Sequence, residues 1–532
     1  MKSLLKTSQQ RPVAHPMLLF VLLCLASVAL FAIQVLLDGS TAQGMAFWLK
    51  NYEVERAQDV LGNLAQVLAA VLAVAVTVVA IVVELAANRY SHEITRLFLR
   101  EPVNVLVLGL LVVTTVLCVW TVVFMDDPNP YAVLPQAGFI LTLALGTVSL
   151  LLLVPYMYFV FTFLSPVSVI ERICKDAYGV IQKVNGRHIE RDQRRVLEAI
   201  DELQDVTRSA LQQGDRSIAM ASVNAMATLL SDYANERSRM PVAWFAVSGA
   251  VAEDPDFIAL APEYVEEIRE RGTWLEQKIF RRYVALMNQA SPQARDVAYL
   301  IGINTGRIAM ESGSSRPEIL ELTLRTFNSY LRTTIGGRDV RTAYYVMHLY
   351  CQIAADQLAK NQAQTCIEIA TYIAEYGRIA QKLGLTFLLE TAAHDLVELI
   401  EAAADKQLDA VDPLLDILLD LDEEARAEEQ VESLLGVRRA QIQLATGFLL
   451  RGWQARADRV VADLATERPE RLERLRIGLE TDDRQQYWEL TDRGTNFAWL
   501  PPSRRPYLKT LFDALSARAA RTAGDASRVP LS

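Results

Sequence analysis

Three groups of side chains have types and spacings that could support chemistry. Tyr344, His348 and Cys351 recur at intervals of four and three residues, which places them on one helical face where a Cys/His pair could form. The alternative is a packed core, because the rest of that helix is apolar. Glu390, His394 and Glu398 form an i, i+4, i+8 stripe that could hold a divalent metal or simply face solvent. Glu84 ends a long apolar run in "VVELAANRYSHEITRLFLREPVN", where a carboxylate could either act inside a membrane or mark its edge.

The rest of the chain narrows these readings. Only five histidines occur among 532 residues, and there is no HExxH, GxxxxGK[ST], GxSxG or GxGxxG element. No catalytic residue, cofactor or metal is therefore expected, and the chain does not read as an enzyme. The five cysteines (Cys24, Cys118, Cys174, Cys351, Cys366) are scattered without a CxxC pair, which fits neither a disulfide framework nor a zinc ribbon. The formal net charge is −10. Up to Leu164 there are 8 basic and 9 acidic residues, leaving 45 and 54 in the remainder. An acidic domain with no basic stripe excludes nucleic acid as a partner, because phosphate binding needs clustered Lys and Arg.

The elements that must position these groups begin with four apolar stretches, at about 17–37, 60–83, 103–125 and 134–164. Each supplies the roughly 20 residues needed to cross a hydrocarbon core of about 30 Å. Lys2, Lys6 and Arg11 lie in the tail 1–16, and Arg89, Arg96 and Arg100 lie between the second and third stretches. The connection "DDPNPY" carries no base. Basic loops mark the cytoplasmic side, so both termini are expected there, on a multi-pass protein of the bacterial inner membrane. "STA" at 40–42 offers an alternative, a signal-peptidase site whose use would leave three spans.

Small residues recur every fourth position in two spans: Ala65, Ala69, Ala73 and Thr77, then Gly138, Thr142 and Gly146. They are candidates for close helix packing, within one bundle or between copies in a homo-oligomer. Asn63 and Gln66, with Glu84, are the candidates for a polar pathway or its mouth. Glu84 lies 25 residues beyond Asp59, or about 38 Å along a helix, so it reads as a boundary residue.

The stretch around Glu84 also resembles a bacterial family of predicted membrane proteins whose domain has no known function. Glu84-Leu85-Ala86 stands where that family has Gln-Leu-Ala, Tyr90-Ser91 matches its aromatic-Ser pair, and Arg96-Leu97-Phe98-Leu99-Arg100 is similar to its amphipathic step. His92-Glu93 replaces Pro-Arg, and "GGRDVRTAYY" (336–345) is only loosely similar to the family's Asp-Pro-x-Thr-Ala element. The resemblance covers about residues 60–125 and implies architecture and location, with no substrate.

From Ser165 onward, apolar residues fall at three and four between charged ones, as in "DQRRVLEAIDELQDVTRSAL" and "RTAYYVMHLYCQIAADQLAK". The expected class is all-α: a four-helix transmembrane bundle over 17–165, followed by a cytoplasmic, repeat-like, solenoid-type domain. Within that part, 166–239 reads as a juxtamembrane helical region, 240–262 as a linker, and 263–532 as the main helical domain. No fixed repeat period is visible in the sequence. The final segment "YWELTDRGTNFAWLPPSRRPYL" makes Trp488, Trp499, Arg504 and Arg505 candidates for an interface. Together these features imply a membrane-anchored scaffold or sensor that binds an unidentified cytoplasmic protein. The alternative is an oligomeric channel or transport component.

Overall fold

The computed structural model describes residues 54–89, 102–125, 136–163, 165–312, 315–422, 435–486, 493–494 and 496–526. The first apolar stretch, the tail 1–16, the loops 90–101 and 126–135, and Trp488 lie outside the described residues. The described part is all helical, without a strand, and it divides into two compact units at Ile173 and Cys174.

The first unit contains α1 (Val54–Arg89), α2 (Pro102–Met125) and α3 (Gln136–Phe163), and α4 (Pro166–Lys183) runs across the division. Three helices are long and apolar enough to cross a membrane, over Val54–Glu84, Pro102–Val123 and Gly138–Thr162. α1, α2 and α3 pack on one another in every pairing. The buried positions are Leu61, Ala65, Leu68, Ala75 and Val79 in α1, and Asn104, Val107, Leu111, Thr114 and Cys118 in α2. In α3 they are Phe139, Thr142, Ser149, Tyr156 and Val160. These intervals of three, four and seven hold a seam near 3.5 residues per turn.

That seam explains which small residues matter. An interval of four advances about 40° beyond a full turn each time, so the run from Ala65 rotates off the seam. Ala65 is buried, whereas Ala69, Ala73 and Thr77 face outward. Thr142 is buried and donates to the Gly138 carbonyl at 2.8 Å. A Cβ on Gly146 would come within 2.6 Å of Leu64 Cδ2, so the missing side chain makes the notch that Leu64 fills. Thr114 and Ser149 share a hydrogen bond of 3.2 Å between α2 and α3. Asn63, Gln66 and Glu84 are exposed on α1, and Glu84 is the last residue of its span.

The second unit opens with a hairpin of α5 (Ile189–Gln213) and α6 (Arg216–Glu236). Gly214 takes φ 74° to end α5, and the Asp215 carboxylate accepts from Ile218 N to start α6. The stretch read as a linker forms short turns, including α7 (Gly249–Ala252) and α8 (Pro255–Ile258), and its Trp244 and Phe257 are buried. The Trp244 carbonyl accepts from Gln193 Nε2 and Trp274 Nε1, both at 2.8 Å.

Helices α9 (Pro262–Arg271), α10 (Trp274–Gln293), α11 (Arg295–Ser312), α12 (Pro317–Gly336) and α13 (Val340–Ala359) follow. Next come α14 (Ala363–Lys382), α15 (Thr386–Asp405), α16 (Val411–Leu419), α17 (Leu435–Leu450), α18 (Gln454–Leu464), α19 (Pro469–Thr481) and α20 (Arg505–Ala526). α13 packs on α11, α12, α14 and α15, and α15 packs on α13, α14, α16 and α17.

A fixed period emerges at the turns. Arg338, Asn361, Gly384 and Gln407 all take positive φ at a constant interval of 23 residues. At each, the amide after the left-handed residue reaches back to a helix carbonyl: Asp339 to Thr334, Gln362 to Gln357, Leu385 to Ala380 and Leu408 to Ala403. Only one of the four positions is glycine, so the period leaves no composition signal.

Candidate functional site

The residue groups singled out in α13, α15 and the final segment converge on one cleft. From α13, His348 lines it while Tyr344 and Cys351 are buried in the same helix, and α15 lines it with His394, Asp395, Glu398 and Glu401. The segment before α20 supplies Arg493, Asn496, Phe497, Trp499 and Arg504. Gln443 of α17 holds that segment in place, its Nε2 donating to the carbonyls of Phe497 and Trp499, both at 3.0 Å. The space enclosed is about 350 Å³ and is lined by His348, His394, Glu398, Arg493, Phe497 and Trp499 among others.

One wall is aromatic. His394 stacks on Phe497 with centroids 4.1 Å apart, and Phe387 touches both Tyr344 and Phe497. The Arg493 guanidinium lies over the Tyr344 ring at 4.5 Å. The same guanidinium clasps Asp395 through two bonds of 2.6 and 3.1 Å, with both side chains buried. Burial by itself would lower the Arg493 pKa, but the charge and hydrogen bonds of Asp395 outweigh it and hold the pKa raised. Arg504 pairs with Glu401. Among the described residues, Glu398 has no cation within ion-pairing distance.

Burial sets the protonation states here. It pushes His394 down to about 3, helped by Arg439 and Arg493, and it lowers His348, so both imidazoles are neutral at pH 7. Burial, then Asp395, raises the Glu398 carboxyl above its usual value. The Cys351 thiol is raised well above its usual value by burial and by the charges of Asp395 and Glu398. A protonated, buried Cys351 is a poor nucleophile, and its thiol donates to the Asp395 carbonyl at 3.8 Å rather than to His348. The His348 Nε2 instead lies 3.0 Å from Gln352 Nε2.

Glu390 departs from the stripe. Its carboxylate accepts from Arg439 at 3.1 Å and fills the space left by Gly436, where a Cβ would come within 2.3 Å of it. Arg505 also stays out of the cleft, donating to the carbonyls of Asp482 and Leu500. Asp395, Gln443 and Arg493 were not singled out from the sequence. The first two carried no distinguishing signal, because other polar residues such as His394 and Gln441 stand close by in the same helices, and the third is an Arg in a loop whose path the sequence does not give.

The membrane part has a relative. Residues 16–235 match the family Predicted membrane protein (DUF2254). The DUF2254 match takes in the three described spans and continues through α4, α5 and nearly all of α6. It is wider than the stretch around Glu84 that carried the resemblance, and it ends before every residue of the cleft. Nothing among curated proteins or solved structures matches the chain.

Proposed function

We propose that this protein is a membrane-anchored sensor, with its second unit in the cytoplasm of a bacterial cell and its spans in the inner membrane. The observation that carries the reading is the cleft itself. Two facing helices and a sequence-distant segment build an aromatic-walled space of about 350 Å³, within the range of small-molecule sites. It also contains a carboxylate, Glu398, that makes no ion pair among the described residues. The successive 23-residue helical units support reading α10 to α17 as a solenoid-type stack that holds the cleft rigid. No catalytic role is assigned to any residue lining it.

The test is a thermal-shift screen of the purified full-length protein in detergent against small organic cations, amines and divalent metals. A ligand that raises the midpoint of the wild type, and does so much less for Trp499→Ala and Glu398→Gln, supports the reading. A panel in which every shift is equal in all three proteins removes it. Protease protection in inverted membrane vesicles tests the orientation, because cleavage in the second unit requires that unit to be outside those vesicles.

An oligomeric channel is the second reading, favoured by Asn63 and Gln66 on the outward face of α1. It requires copies of the chain to meet along that face, which particle size in detergent measures directly.

A further inference from the structure

We propose that Cys351, Asp395 and Glu398 bind a thiophilic divalent metal ion of the Zn²⁺ class. The inference takes the cleft as the ligand site and names one occupant. It begins with geometry. The Cys351 Sγ and carboxylate oxygens of Asp395 and Glu398 lie within 4.8 Å of one another. They come from two helices in contact, α13 and α15, and Asp395 and Glu398 lie one turn apart on the second. Three protein donors leave the fourth tetrahedral position to solvent. Metal bonds of about 2.0–2.3 Å place tetrahedral donors roughly 3.3–3.8 Å apart, so small rotamer changes close the set.

Charge points the same way. Asp395 pairs with Arg493, and Glu401 with Arg504, while among the described residues Glu398 has no cation within ion-pairing distance. Arg493 is also placed as an orienting partner, since carboxylates that ligate metals are themselves held by hydrogen bonds from behind. On binding, the ion displaces the thiol proton to solvent. A sulfur donor beside carboxylate oxygens favours zinc-like ions over Mg²⁺ or Ca²⁺, which take oxygen alone.

The experiment is titration of the full-length, chelator-treated protein in detergent with Co²⁺, used as an optical probe for such a site. The wild type should show a saturable thiolate-to-cobalt charge-transfer band at one equivalent, bleached by Zn²⁺. Cys351→Ser should lose the band, Glu398→Gln should weaken binding by roughly tenfold or more, and Cys366→Ser should leave it intact. Glu398 is exposed, so its variant keeps the test valid if Cys351→Ser unfolds, and circular dichroism reports which case holds. No band in the folded wild type, or equal binding by wild type and Glu398→Gln, overturns the metal proposal. In that event an organic ligand that still shifts the wild type leaves the sensor reading standing.

Discussion

Two regions of the second unit gather carboxylates around cations, and they do so to different ends. At the first, the fully buried Lys278 reaches Asp201, Asp254 and Asp256 at 2.8, 2.7 and 3.0 Å. Arg282 reaches Asp201 and Asp256 again, at 2.6 and 2.9 Å, and Arg281 reaches Asp256 at 3.9 Å, so three cations face three carboxylates. Every carboxylate there has a cation, and the cluster ties α5, α8 and α10 together. At the second, the cleft of α13 and α15, three carboxylates face two guanidiniums and Glu398 is left over. A closed charge balance is what a structural cluster needs, because an uncompensated buried charge costs several kcal/mol. An open balance beside a cavity marks a place that something else can complete.

Each region can be perturbed to test that contrast. The largest effect belongs to Lys278→Met, which strands the buried Asp254 and removes a cation from Asp201 and Asp256: a loss of about 3–5 kcal/mol is expected, read as a lower denaturation midpoint of the full-length protein. Adding Asp254→Asn should recover part of it. Arg493→Met strands one buried carboxylate beside a solvent-accessible cleft, so the expected loss is smaller, about 2–3 kcal/mol. Equal losses in the two variants would erase the distinction.

pH gives a third perturbation. His394 has a folded pKa near 3, below its unfolded value near 6.5, so the unfolded chain binds the extra proton between them. Stability is therefore complete above about pH 6.5 and falls on acidification, by up to about 1.4 kcal/mol per unit from this one group. His394→Leu should flatten that slope in a melting series from pH 7 to 5. The smallest effect is that of Glu398→Gln. The Glu398 carboxyl is raised, so its ionisation opposes folding as pH climbs past the ordinary carboxylate range. Because Glu398 reaches solvent, the metal-free variant should gain at most a few tenths of a kcal/mol at pH 7. A clear loss there would mean that Glu398 has a partner in the resting protein.

Several features were legible in the sequence because they are local. The length of an uncharged run decides what can cross a bilayer, and Glu84 marks an edge by its distance from Asp59. Helical class followed from spacings of three and four. Convergence of "HLYC", "HDLVE" and the aromatic tail was not legible. It depends on helices separated by 44 residues and a loop about 100 residues further on, which pack together only once α17 and Gln443 fix the loop's path.

The same division runs through the details. By itself the sequence determined where the chain is apolar, where it is helical, and which residues could do chemistry if they met, because these depend on neighbours a turn away. Tertiary structure alone decided that Ala65 packs while Ala69 and Ala73 face outward, since the seam follows the partner helices and not the interval of four. It also decided that Arg338, Asn361, Gly384 and Gln407 end their helices in register, a period carried by backbone conformation and not by residue type. Above all it decided which carboxylate, among the described residues, makes no ion pair. That is a property of three segments brought together, and no one of them carries it.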